Sequence, residues 1–261
     1  MNPWGPLGVL RFELRRSLSA GRLALWLLVA LFPMALILLT QLRAAQTMSP
    51  GYSQEAMIAL LFLLIVRVAS VLGLLLWATP AVQSEIEART WLYVATRPQG
   101  PGSLVLGKYA VAILWSFTSA VAATTLAVPV AELEHGLRTW GVLTALAFLA
   151  VLAYGALFTF IGTLIQRRAM VVAILYIVLV EGALSLIPAT INRFTVGFRL
   201  LSLLVQWMEL DLSERSEQYQ MLFTDAHPLT HLLILLLYSG GLLTAAMFRA
   251  RRGGYQIEPE D

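Results

Sequence analysis

Apolar residues in this chain fall into blocks too long for an element of a soluble core and too unbroken for the alternation of a barrel strand. A helix needs about 20 mostly apolar residues to cross ~30 Å of hydrocarbon. On that measure the pattern predicts spans at residues 22–42, 56–82, 108–131, 139–165, 169–189 and 229–248. Backbone in lipid must satisfy its own hydrogen bonds, so each block is read as a helix. The expected class is an all-α membrane protein with six transmembrane helices in a single domain over residues 1–261. An even number of crossings puts both termini on one side. The polar breaks that matter are residues 83–98, between the second and third spans, and residues 190–228, between the fifth and sixth.

Composition agrees with the pattern. Of the 261 residues 59% are hydrophobic and only 13% charged, and the mean hydropathy of +0.77 exceeds what a soluble core requires. The absence of cysteine excludes disulfides, Cys-ligated zinc and iron-sulfur clusters. Charge then sets the orientation. With both termini cytoplasmic, twelve of the 18 Lys and Arg residues fall in inner segments and five in outer ones, with Arg67 inside a span. This inside bias places the chain in a cell (inner or plasma) membrane with cytoplasmic termini. The same scatter of basic residues along membrane boundaries, instead of one basic stripe, argues against nucleic acid as a partner.

Ahead of the first span, Leu7, Leu10, Leu14 and Leu18 recur at helical spacing with Arg11, Arg15 and Arg16 to one side. Residues 1–21 therefore read as an interfacial helix whose arginines face lipid phosphates, which makes membrane lipid an expected partner. The apolar run that follows exceeds the 7 to 15 residues of a secretory core and reads as a retained anchor.

The segment QSEIEARTWLYVATRP, residues 83–98, carries its own helix signals. Ser84 and Glu87 make a capping-box pattern, Glu85 and Arg89 an i,i+4 pair, and Pro98 a stop. Ile86, Thr90 and Tyr93 share one side of such a helix and Trp91 and Val94 another, a distribution suited to contact with both the bilayer surface and a protein.

Followed by GPGSLVLGKY, this run resembles the E-x-E-x-x-T-L-x-x-L-x-x-x-P … L-G-K pattern of type-2 class ABC transporter permeases, the membrane subunits of ATP-driven exporters. Glu85, Glu87, Thr90, Pro98, Leu106, Gly107 and Lys108 match it, and Leu92 falls near one of its apolar positions. Arg89 stands where that family often has glycine, and GPGS where it often has an acidic polar stretch. Six spans, cytoplasmic termini and the interfacial helix extend the resemblance along nearly the whole chain. The resemblance implies that residues 83–98 are a coupling helix seated in a separate cytoplasmic ABC ATPase, with Glu85, Glu87, Arg89, Thr90, Trp91, Leu92, Tyr93 and Pro98 at or near the contact. It implies a dimer with a second copy or a sister permease, ATP and magnesium held by the ATPase, and alternating access around a central path.

Nucleotide chemistry in this chain itself is not expected. GSLVLGKY, residues 102–109, satisfies seven positions of a phosphate-binding loop and fails at the eighth, where Tyr109 replaces the small hydroxyl that holds magnesium. No zincin or serine-elbow motif is present. His227 and His231 are one helical turn apart but lack a third nearby ligand, so no metal site and no enzymatic activity are expected.

Two ionisable residues lie within spans, where they mark function or pairing. Arg67 is about ten residues (~15 Å) from the outer end of the second span, and Glu181 about twelve (~18 Å) from the inner end of the fifth. At that depth they can neutralise each other, locking two helices or bordering a water-filled path. Arg67→Leu is expected to hurt assembly or transport, and Arg67→Glu combined with Glu181→Arg to restore it in part. FRLLSLLVQWMEL, within 190–228, is too short to cross and reads as an interfacial or re-entrant helix. The alternatives are a secondary transporter using Arg67 and Glu181, or a membrane-embedded enzyme or assembly factor.

Overall fold

The computed structural model describes residues 6–47, 53–80, 83, 85, 90, 91, 93, 96, 100–165, 168–183, 195–210 and 226–252. Among these, regular structure is exclusively helical. In chain order the helices are α1 (Pro6–Ser17), α2 (Ala20–Thr47), α3 (Gln54–Trp77), α4 (Gly100–Val130), α5 (Gly136–Leu164), α6 (Ala169–Tyr176, continued by a π-helical stretch Ile177–Ala183), α7 (Val196–Met208) and α8 (Pro228–Arg252). Helices α2, α3, α4, α5 and α8 are long and apolar enough to cross a membrane, which makes this an all-α, multi-pass membrane protein.

The helices divide into an inner and an outer set. In α3 and α5 67% of the most apolar stretch is buried within the protein, against 22% in α2 and α8. The first two therefore form the centre, and α2 turns Leu25, Leu28, Leu31 and Leu39 outward, as a lipid-facing helix does. Tyr154 and Phe158 of α5, Ile65 and Leu74 of α3, and Leu200, Leu203 and Leu204 of α7 fill the core. Gly155 and Gly162 of α5 face Tyr109 and the Thr79 carbonyl, so small residues there serve close helix packing.

Four expected spans coincide with the structure closely, and two features differ. Helix α4 starts at Gly100, eight positions before the predicted start of the third span at 108. The GPGS run belongs to its first turn, where Pro101 loses nothing by lacking an N–H that would have no intrahelical partner. The fifth span, expected at 169–189, coincides with α6 as far as Ala183, and residues 184–189 lie outside the described residues.

The other feature is helix α7, expected as an interfacial or re-entrant helix, which packs within the bundle with eight of its 13 residues buried. Its first residues meet Glu181 and Arg67, half-way along α3, while its last residues meet Arg138 at the start of α5. At 1.5 Å per residue the 15 residues of α6 with its extension and the 13 of α7 run to roughly 22 and 20 Å, and the two helices meet at the Glu181 carboxylate.

A backbone break at this depth is tolerable only if its polar groups find partners inside the protein. They do. The Thr195 hydroxyl accepts from the Phe198 N–H at 3.2 Å, and the Glu181 carboxylate accepts from the N–H groups of Val196 at 3.1 Å and Gly197 at 3.0 Å. At the other end Glu209 takes the left-handed conformation (φ 53°) that closes helices, and Arg138 Nη2 donates to the Trp207 carbonyl at 2.8 Å and to Glu209 at 2.7 Å.

Candidate functional site

Two constellations of polar residues stand out, one at mid-depth and one at the end of the bundle that carries Arg11, Arg15, Arg16, Arg249, Arg251 and Arg252, here termed the arginine-rich end.

The mid-depth constellation is built by three helix breaks. Arg67 lies in a π-helical stretch of α3, Phe62–Ala69, where the Ser70 N–H reaches back five residues to the Ile65 carbonyl. Glu181 lies in the π-helical extension of α6. The wider turn re-aims side chains, and such stretches recur at functional positions. Arg67 Nη2 is 3.4 Å from Glu181 Oε2 and Nη1 donates to the Glu181 carbonyl at 3.3 Å. Sequence reading paired Arg67 with Glu181, and the structure brings them together. It missed the third member, the N-terminus of α7, whose N–H groups and positive dipole end also favour a carboxylate. A sequence signal was available in TVGF, where Thr195 can cap a helix. Gly197 is required there, because a Cβ would collide with the Arg67 guanidinium and the Glu181 carboxylate.

At the arginine-rich end, residues distant in sequence converge on Glu85. Its Oε1 is 2.6 Å from Lys108 Nζ and 3.5 Å from Arg16 Nη1, and its Oε2 accepts from the Thr90 hydroxyl. The Thr90 N–H and hydroxyl also bond the Glu85 carbonyl, at 3.0 and 3.2 Å. Both Glu85 and Lys108 are buried. Burial alone would raise the Glu85 pKa, but Lys108, Thr90 and Arg16 together hold it below the usual carboxylate range. This is an ionic rivet joining the 83–98 segment to α4 and α1. Gly107, adjacent to Lys108, lets α1 approach: a Cβ there would lie 2.6 Å from Val9 Cγ1.

Other expected site residues distribute as follows. Trp91 is buried in the protein's own packing, against Leu104 and Val105 of α4 and Ala246 and Ala250 of α8, and so anchors the segment inward instead of facing outward. Tyr93 is 72% exposed. Glu87, Arg89, Leu92 and Pro98 lie outside the described residues, as does Ser84. Arg11 and Arg15 are exposed on α1, with Phe12 beside them. The side of α1 packed on the protein is made by Val9, Glu13 and Ser17, which leaves Leu18 exposed. The two histidines serve different ends. His227 accepts from the Leu229 N–H at the start of α8, and His231 Nδ1 sits 3.3 Å from Arg199 Nη1. No cluster among the described residues has three groups able to hold a metal.

No family model matches this chain, and no curated protein is significantly similar to it.

Proposed function

We propose that this chain is the permease subunit of an ATP-driven ABC exporter, with its arginine-rich end facing the cytoplasm and a separate ATPase acting on the 83–98 segment. The reading is carried by one observation. Glu85, Thr90 and Lys108, three of the residues on which the resemblance rests, meet in a buried ionic cluster that also captures Arg16 of α1.

The physics of coupling asks for such a joint. A displacement applied to a loosely tethered loop is absorbed by the loop, whereas one applied to a segment clamped by a buried salt bridge and a buried tryptophan is passed to the helices it is clamped to. Here those are α4 and, through Arg16, the interfacial helix α1. The exposed Tyr93 ring is the described part of the segment free to meet a partner. Each permease offers one such segment, so two copies or a sister subunit would work with two ATPases, and ATP and magnesium would be bound there. The α6–α7 break then supplies the distal half of the bundle with a separate, movable piece for alternating access.

The test is purification of the full chain in mild detergent with a photocrosslinker in place of Tyr93. The expected result is capture of a nucleotide-hydrolysing subunit from Tyr93 and none from a crosslinker at Trp91, which faces the protein's own core. If no ATPase co-purifies or crosslinks from Tyr93 in intact cells, the assignment fails.

A further inference from the structure

A cavity of about 90 Å³ opens at the arginine-rich end between α1, α2, α4 and the last turn of α3. Glu13, Arg16, Arg22, Trp77, Pro80 and Lys108 are among its lining residues. Its size is on the scale of a small group such as a phosphate.

Among the described residues the charges around it do not cancel. Glu85 is shared by Lys108 and Arg16, and Glu13 lies 3.9 Å from Arg16, so two carboxylates serve three cations there. The cation left over is Arg22, partly buried at the start of α2, which has no hydrogen bond or ion pair among the described residues. The Arg16 side chain is 48% exposed, so the cavity is open to a ligand on that side.

Its depth is also marked. Trp77 stacks on Trp115 at 5.8 Å and 6°, and Trp115 Nε1 donates to Ser17 Oγ at 2.8 Å. Trp77 is the last residue of α3, and a tryptophan at a span end marks headgroup level. Beyond Arg22, α2 exposes Leu23, Leu25, Leu27 and Leu28, an apolar surface suited to an acyl chain.

We propose that this cavity binds the phosphodiester of a phospholipid, Arg22 and Arg16 donating to its oxygens while the lipid tails lie along α2. A phosphodiester carries one negative charge and completes the balance, whereas a phosphate monoester or free phosphate, carrying nearly two, overshoots it. Because Arg16 also touches Glu85, lipid binding and the seating of the 83–98 segment share a residue. The inference does not depend on the exporter reading.

Native mass spectrometry of the full chain, delipidated and titrated with phosphatidylglycerol in micelles, tests it. One lipid should be retained per chain. Arg22→Gln should weaken retention by at least about tenfold, the worth of one charged hydrogen bond. Arg22→Lys should fall in between, and Arg11→Gln, on α1 but outside the cavity, should match the wild type. Excess inorganic phosphate should leave the lipid bound. Equal retention by wild type and Arg22→Gln overturns the site, and equal losses in Arg11→Gln and Arg22→Gln reduce it to general attraction of anions. Displacement by inorganic phosphate overturns the lipid assignment in favour of a soluble anion. If Arg22→Gln does not fold, the ratio of Arg22→Lys to Arg11→Gln decides by the same criteria.

Discussion

Glu181 answers to an arginine and two backbone N–H groups, and that asymmetry decides how it responds to substitution. Arg67→Leu leaves its carboxylate without a countercharge and should cost about 3 kcal/mol, read as a lower melting temperature in detergent. The exchange Arg67→Glu with Glu181→Arg, which sequence alone predicts to be partly restorative, should be no more stable than the worse single variant. It sets a cation against a helix N-terminus and leaves two N–H groups without an acceptor. Rescue by the exchange would show that the charge pair, and not the α7 cap, governs the site. Glu85 allows a pH test. Its folded pKa is lowered, so its contribution is present above the ordinary carboxylate range and is lost as pH falls through the lower folded value. The melting-temperature gap between wild type and Glu85→Gln should therefore be full at neutral pH and close on acidification below that range.

Among the elements, α1 and α7 are held by features that sequence reading underrated. The apolar spacing of α1 was legible, but not which side would meet protein, because Val9, Glu13 and Ser17 become the packed side only through the gap left by Gly107. Gly107→Val should lift α1 from α4 and raise hydrogen exchange across residues 6–17, with Val9→Ala in the same chain returning part of the protection; unchanged exchange would mean that Gly107 does not set the approach. For α7 the legible fact was a 13-residue apolar run too short to cross. Its position was hidden because it depends on Glu181 of α6 capping it, a contact no local window contains. The early start of α4 escaped notice for a related reason: GPGS has the composition of a loop, and only its packing beside α1 and α8 shows the glycines admitting neighbours, as Gly102 admits Arg251.

For the molecule as a whole, the central α3 and α5 and the peripheral α2 and α8 make a bundle whose two ends carry distinct polar clusters. Since the chain has no cysteine, single-cysteine labelling is unusually clean. Tyr93→Cys should react with a membrane-impermeant maleimide only from the side of the arginine-rich end, and Leu137→Cys, 84% exposed beside Arg138, only from the other. Labelling of both from one side would reject the six-crossing topology. The position of Trp91 belongs to this scale too, since its burial depends on α8, more than 130 residues later in the chain, folding back against the start of α4.

The sequence alone determined that this is a helical membrane protein, approximately where its helices run, and that Arg67 and Glu181 lie at matching depth, because hydrocarbon thickness and backbone hydrogen bonding act on every stretch of chain independently of its neighbours. The tertiary structure decided which surfaces face inward, that the start of α7 meets Glu181 of α6, and that Glu85, Lys108, Thr90 and Arg16 form one cluster. Those outcomes depend on approach distances between segments far apart in the chain, set by single atoms such as the missing Cβ of Gly107 and Gly197, which no periodicity records.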